Sequence, residues 1–470
     1  MTNEQRATIY HKLAIPSLIY AFCFGFILRG HLSGIGMILF AISTVIYCGY
    51  CMKAFTVKRK VGTYIYMLFL LLIGISTSMT GSQTIHNMNR ILFFVILLCM
   101  QLHIYYDDRG WTPTKFFLAF FHSQAGCFEC VGDYFGDRHQ YRQVNKGKKN
   151  SKLSYIVIGL CISVPLLAIL IALLSSADAV FSTVIKDVIG IKLRFGRIIL
   201  NLLVTVLVGF FSYAGIKFHV KRKISDKVAD MRSIEATIGN TVLSLVSVVY
   251  VLFSAIQILY LFMGNGALPK NYSYAEYARE GFFQLLAVCV LNIALVLFCV
   301  GLFRESKLMK ILLTIISLCT YIMLASSAFR MIMYIKQYHL TFLRIFVLWF
   351  LGMLAFALVG LICSIYSRKF RLFRYLIIVC SACYLLFSFS KPDYWIARHN
   401  IAAIPAATEE VDLEYLSSLS SDAAPVIAKY DEAWTRDYRE QLYEDEDKSI
   451  LSYNFSIRKA WKLFPKTDSL

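Results

Sequence analysis

Long stretches without a charged residue recur along this chain from Leu13 to Phe389, and they constrain its fold more than any other feature. A hydrocarbon core about 30 Å thick takes roughly 20 residues of apolar helix to cross. Eleven stretches approach that length, at 13–28, 32–50, 61–80, 91–106, 153–174, 197–216, 236–262, 282–303, 309–329, 345–366 and 372–390. The expected fold class is an all-α integral membrane protein with about eleven transmembrane helices and a small, mainly helical C-terminal extracytoplasmic region.

Composition bears on the same point. Of the 470 residues, 58% are apolar and 16% charged, against about a quarter charged in soluble domains. The formal charge of +19 does not indicate a nucleic-acid partner, because the Lys and Arg residues sit in short loops between apolar runs, where membrane topology requires them. The 13 Cys residues lie almost all in apolar runs and none follows Cys383, so the C-terminal region cannot hold a disulfide. A free Cys in a packed helix behaves as a small hydrophobe. Met1–Lys12 is polar and no small-residue cleavage site follows Leu13–Leu28, so the first run is expected to stay as a helix rather than be removed as a signal peptide.

The loops orient the spans. With the N-terminus inside, the cytoplasmic segments hold 27 Lys and Arg residues and the outer segments 11. Basic loops stay on the cytoplasmic side, so the N-terminus is expected inside and, after an odd number of spans, the C-terminus outside. The resulting layout is a cytoplasmic N-terminus (1–12), four spans (13–106), a cytoplasmic interfacial helix with a basic loop (107–152), a seven-helix region (153–390) and an extracytoplasmic C-terminal region (391–470). Trp111–Gln124 is too short and too polar at its ends to cross, and its Trp and Phe residues suit the interface. Arg138–Lys152 reads as a basic loop facing the anionic leaflet. Phe181, Val184, Ile185, Val188 and Ile189 make one apolar helical face, expected to lie on the outer surface.

The last 80 residues carry 15 Asp and Glu against 10 Lys and Arg, a net charge of −5 that leaves +24 on the membrane part. Within them Leu413, Leu416 and Leu419 share a helical face, and Asp422 before Pro425 reads as a helix start. Leu451, Tyr453, Phe455 and Ile457 alternate with polar residues, which predicts a short strand. So short a region without disulfides is marginal on its own and is expected to dock on the outer face of the bundle.

No Asp, Glu, Lys or Arg lies in the interior of any stretch as drawn; Arg197, Lys310 and Arg374 sit within three residues of an end. A charge at the bilayer centre usually marks an ion or proton path, so this pattern argues against an ion-coupled transporter. His103, Asn201, Gln257, Gln284 and Asn292 read as interhelical hydrogen-bonding groups. Charged and polar residues crowd the outer ends instead: Asp178; Glu276, Arg279 and Glu280; Arg330, Tyr334, Tyr338 and Arg344; Arg398, His399 and Asn400. Either these are structural ion pairs holding loops and tail, or they line an outer pocket that binds a ligand or partner. The candidate binding cluster is Asp178, Glu276, Arg279, Glu280, Arg330, Tyr334, Arg344, Arg398 and Asn400.

Several of these segments carry a resemblance. SSADAVF at Ser175–Phe181, YAEYAREGFFQLLAV at Tyr274–Val288, SAFRMIMYIKQYHLTFLR at Ser327–Arg344, ARHNI at Ala397–Ile401, DLEYLSSLSSDAAP at Asp412–Pro425 and YNFSIRKA at Tyr453–Ala460 resemble the bacterial membrane proteins grouped as domain of unknown function 4173, with the related group 4153. The likeness runs from about Ser175 to Ala460 and departs at His339, where a Gly is expected before Leu-Thr. It implies a multi-pass protein of a bacterial cytoplasmic membrane and supplies no catalytic roles.

Cys48 and Cys51, Cys127 and Cys130, and Cys380 and Cys383 have a metal-like spacing. Only the middle pair lies in a loop, between His122 and His139, and a closed zinc site needs four such ligands; no metal, cofactor or catalytic residue is assigned. Three functions stay open: a non-enzymatic envelope sensor or scaffold whose outer face binds an envelope protein or small ligand, a permease or flippase for an amphipathic substrate, and an outer-face membrane enzyme using Asp178, Glu276 or Glu280.

Overall fold

A computed structural model describes residues 1–28, 33–145, 195–221, 234–259, 274–367, 369–404, 412–430, 433–444 and 450–465, with isolated positions between 163 and 174 and at 224. Every regular element among them is a helix. The membrane part comprises α1 (Asn3–Leu28), α2 (Ile35–Ala54), α3 (Val61–Met79), α4 (Gln83–Tyr105), α5 (Pro113–Val131), α6 (Asp133–Val144), α7 (Phe195–Val220), α8 (Ala236–Gln257), α9 (Tyr274–Leu302), α10 (Lys307–Tyr338), α11 (Phe342–Tyr366) and α12 (Leu372–Phe389). The C-terminal region adds α13 (Pro392–Ala403), α14 (Leu413–Ser417), α15 (Ala424–Ile427), α16 (Ala433–Glu444) and α17 (Phe455–Leu463).

Among the described residues ten helices, all but α5 and α6 of the membrane part, are long and apolar enough to cross a membrane. They coincide with ten of the eleven stretches read from sequence. The eleventh, 153–174, lies largely outside the described residues, and the amphipathic helix expected over Phe181–Ile189 lies wholly outside them. Outward faces carry exposed apolar side chains such as Phe22, Leu245 and Leu386, as a lipid-facing surface requires.

Two apolar cores hold the bundle. The first buries Leu13, Phe40, Leu70, Phe93 and Met100 between α1–α4, α5 and α7. The second buries Leu243, Phe282, Ile316 and Leu358 between α8–α11. α12 joins them, giving Leu385 to the first and Leu372 to the second. A third core of Ile396, Leu416, Ile427, Tyr438 and Ala460 lies under the C-terminal helices.

Ion pairs close one end of the first core. Asp137 and Lys217 are fully buried partners, and Tyr213 donates to the same carboxylate at 2.7 Å. Arg6 approaches Asp137 at 3.1 Å, while Lys217 and Lys221 reach Asp133 at 3.0 and 2.5 Å. Burial pushes the Asp133 carboxyl up, but hydrogen bonds from Lys221 and Lys217 outweigh it and hold the group below the usual range. Nearby, Asp108 accepts from His103 Nδ1 at 2.8 Å and from Arg374 at 2.5 Å. Lys60 Nζ donates to the carbonyls of His103 and Tyr106, both at 2.6 Å, which lack donors at the end of α4.

Several expectations need correction. The basic loop from Arg138 is helical as far as Val144, because α6 packs its length against α1. The apolar stretch at Trp111 continues as α5 to Val131, started by Pro113 and by Thr112, whose side chain accepts from the Lys115 N–H at 3.3 Å. The strand expected over Leu451–Ile457 is a short 3-10 turn, Ile450–Ser452, followed by α17. Asn454 caps that helix, and Ser456 and Ala460 form its buried stripe, so a helical period overrides the alternation. A helix does start at Ala424, just before Pro425, as α15, but Ser420 rather than Asp422 caps the turn Ser421–Ala423 that leads into it. The helical face expected over Leu413, Leu416 and Leu419 is cut short, because α14 ends at Ser417; Leu416 and Leu419 are buried, whereas Leu413 is 40% exposed. Charge-free helix interiors also do not hold to the helix ends. α7 runs on through buried Lys217 and α10 through buried Arg330, because partners inside the fold let the helix continue past the charge.

The turn between α10 and α11 stores strain. His339 has φ 61° and ψ −177°, a region open essentially to glycine alone. Arg344 donates to the Tyr338 and His339 carbonyls, contacts that need no side chain at 339. His339→Gly is expected to stabilise the fold by about 1 kcal/mol, read as a raised melting temperature of the purified protein in detergent. An unchanged or lowered melting temperature would show that the turn holds no strain.

Candidate functional site

The best-built polar cluster lies where the C-terminal region meets the bundle. It begins with an unavoidable deficit: the last carbonyls of a helix have no intrahelical donor. At the end of α3, Asn454 Nδ2 donates to the carbonyls of Thr77 and Thr80 at 3.1 and 2.7 Å. His86 Nε2 bonds the same two carbonyls at 3.0 and 2.9 Å, which requires its Nε2–H tautomer. Asn454 Oδ1 meanwhile accepts from the Ser456 and Ile457 N–H groups at 2.9 and 3.3 Å, capping α17. One side chain therefore ends a membrane helix and starts a C-terminal one.

Beside it lies Asp422, 2% exposed. Its carboxylate accepts from Thr80 of the bundle and from Ser456 of α17, both at 2.5 Å, with Lys391 Nζ at 3.4 Å. Asp393, at the start of α13 and 5% exposed, accepts from Ser420 at 2.5 Å. Burial drives the Asp393 carboxyl above its usual range and the charge of Asp422 adds to this, against a lowering hydrogen bond from Ser420. The network reaches into the bundle through Asn89, which donates to Thr77 Oγ1 at 2.9 Å and accepts from Tyr384 of α12 at 2.7 Å.

Backbone fit completes the seam. The Ile35 N–H donates to the Tyr453 carbonyl at 2.9 Å. Gly34 has φ 61°, and a Cβ there would overlap that carbonyl. A second clamp sits at the α10–α11 turn. The Asn400 amide pairs with both the N–H and the carbonyl of Leu340 at 2.9 Å, and the Tyr415 hydroxyl accepts from the Phe342 N–H at 2.8 Å.

The candidate residues read from sequence are distributed as follows. Asn400 is one of these clamps. Tyr334 and Arg344 meet at the same turn, the guanidinium 4.4 Å from the ring centroid. Arg330 is buried apart from them, within 3.5 Å of Gln257 Oε1. Arg398 lies over the exposed Trp395 ring at 5.5 Å. Glu276, Arg279 and Glu280 fall in the first two turns of α9, and Asp178 lies outside the described residues. Sequence reasoning missed Thr80, His86, Asn89, Asp393, Asn454 and the docking role of Asp422. The signal was present in the quoted motifs: ARHNI supplies Asn400, DLEYLSSLSSDAAP supplies Tyr415 and Asp422, and YNFSIRKA supplies Asn454 and Ser456. Chemically the cluster is a latch, since every oxygen of Asp422 already faces a donor.

A family model described as "Domain of unknown function (DUF4153)" matches residues 67–430, more than three quarters of the chain. It is the second of the two related groups that the motifs resemble. Thr77, Thr80, Asn89, Asp393, Asn400 and Asp422 fall within the match, and Asn454 and Ser456 lie beyond it. No curated protein and no solved structure matches the chain.

Asp422→Ala would leave buried Thr80 and Ser456 hydroxyls without an acceptor, at about 1–3 kcal/mol each. The expected result is faster protease cleavage after Phe389 with the bundle intact; unchanged cleavage would show that Asp422 does not hold the region. Asp393 adds a pH dependence. Its docked form keeps the proton to higher pH than the unfolded chain, so docking is strongest below the ordinary Asp value, about 3.9, and weakens as pH rises from there through the docked value. Thermal unfolding followed against pH should show this decline in the parent protein and not in Asp393→Asn.

Proposed function

The chain belongs to the DUF4153 family, whose description carries no activity, and we propose from its architecture that it is a non-enzymatic envelope protein of a bacterial cytoplasmic membrane, holding its C-terminal region on the outer face to bind an envelope protein or a small ligand. The observation that carries this reading is the destination of the family-like motifs. ARHNI, DLEYLSSLSSDAAP and YNFSIRKA run into the docking seam, where Asn400, Asp422 and Asn454 are engaged in holding the region in place. Investment in a docked surface fits recognition of a partner better than chemistry on a substrate.

The proposed topology has eleven spans, the N-terminus inside and the C-terminus outside. Two observations support it. The excess of Lys and Arg lies in the loops at the end where α1 begins. In addition, Lys217 near the end of α7 pairs with Asp137 of α6, which Arg6 of α1 also reaches at that end, while Thr205 lies against Gly25, deeper along α1. α7 therefore begins at the opposite end of the bundle from α6, as an odd number of spans between them requires.

The C-terminal region contains no native Cys, so topology is directly testable. Lys462→Cys, at an exposed position of α17, is expected to react in intact cells with a membrane-impermeant maleimide; reaction only after lysis would overturn the orientation. For the binding role, Asn454→Ala is expected to insert normally yet fail to complement a deletion strain. Full complementation by a variant whose C-terminal region is demonstrably released would overturn it.

A further inference from the structure

The second core contains a polar seam that neither the docked region nor the family match explains. The buried face of α8 is made of Gly239, Leu243, Ser247, Ser254 and Gln257, only one of them a large apolar residue. It packs against α10, which also packs against α9. α10 presents Ser317, Thr320, Ser326 and Ser327, all at most 1% exposed, and Arg330 at 8%. From α9, Asn292 donates to Thr320 Oγ1 at 2.9 Å.

Most of these groups are satisfied. Ser317, Thr320 and Ser327 donate to carbonyls of their own helix at 2.7–2.9 Å, and Ser326 donates to Gln257 Oε1 at 2.7 Å. Three are not. Ser247 Oγ, Ser254 Oγ and Asn292 Oδ1 find no hydrogen-bond partner among the described residues, although their side chains are 5%, 3% and 1% exposed. An unpaired polar atom inside a bilayer costs several kcal/mol. Ser247 and Ser254 do not take the helix carbonyls that the α10 hydroxyls take, so they are left facing the seam. Asn292 lies near the middle of its span, and Gln257 near the end of α8 next to Arg330. The ten helical steps from Ser247 to Gln257 rise about 15 Å.

We propose that the seam between α8, α9 and α10 binds a file of water molecules that enters past Gln257 and Arg330 and reaches Asn292 at mid-span. Water fits the open groups: it donates to Asn292 Oδ1 and exchanges hydrogen bonds with Ser247 and Ser254, and a buried site with two to four polar partners is where ordered water is held. No charged ligand fits this depth, since no ionised side chain of the seam other than Arg330 is there to meet it. The seam carries polar solvent halfway through the hydrocarbon region, a feature the partner-binding reading does not require.

Radiolytic hydroxyl footprinting of the full chain in lipid nanodiscs tests this, because radicals form from water beside the reacting side chain. Met323 Sδ lies 4.0 Å from Asn292 Nδ2 and is 1% exposed. Met37, at 1%, sits in the first core and serves as a dry reference. Met323 is expected to oxidise several-fold faster than Met37, and oxidation as slow as that of Met37 would overturn the proposal. The Ser247→Ala, Ser254→Ala double variant supplies an independent sign. Hydroxyls that hold water are missed, so the melting temperature falls and Met323 oxidation slows. If the seam is dry, deleting unpaired buried hydroxyls raises the melting temperature, and the proposal fails.

Discussion

α3 ends inside the protein, and its final carbonyls must find donors there. Any helix has this deficit, but few sites fill it with a side chain that is itself needed elsewhere. Asn454 supplies its amide hydrogens to the Thr77 and Thr80 carbonyls and its amide oxygen to the first N–H groups of α17. The placement of α17 relative to α3 follows from that one residue. Once α17 is placed, Ser456 can reach Asp422, and Asp422 can reach back to Thr80. The C-terminal region is thus positioned by a short closed circuit of hydrogen bonds rather than by its own small apolar core.

The two ends of the first core use different chemistry. Where α1 begins, fixed charges meet: Lys217 with Asp137 and Asp133, and Arg374 with Asp108. A buried ion pair gains little net stability, because desolvation offsets the attraction, yet losing one partner is costly. Such pairs therefore determine which helices lie together more than how stable the bundle is. At the other end amides and hydroxyls cap helices, with Lys391 as the cation beside Asp422.

The spans were legible because bilayer thickness imposes a length that no loop imitates, and ten of the expected stretches coincide with helices. Their ends were not legible. An apolar run stops at the first charge, whereas a helix stops where its hydrogen bonds do; Lys217 and Arg330 lie in that gap. The segment around Tyr453 misled for a related reason, since alternation over seven residues cannot reveal that Asn454 will cap a helix. The departure at His339 was readable as a missing glycine, and its positive φ gives the reason a glycine suits that position. The docking seam was readable only as motif, because Thr80 lies hundreds of residues from Asp422 and Asn454 and no periodicity links them.

The C-terminal region touches both halves of the bundle. Asn454 and Asp422 hold it to α3, beside the first core, while Asn400 and Tyr415 hold it to the turn between α10 and α11, beside the second. Away from this end the cores are joined through α12. On the proposed reading, a partner that lifted the region would break contacts with both halves, and its binding free energy would be coupled to how the halves sit against each other. Coupling of this kind needs an element whose equilibrium both sites bias, and the docked region contacts both halves. The α8–α10 contact in the second half differs in kind from these clamps, since the buried face of α8 is mostly small and polar and is tied to α10 through Gln257 and Ser326.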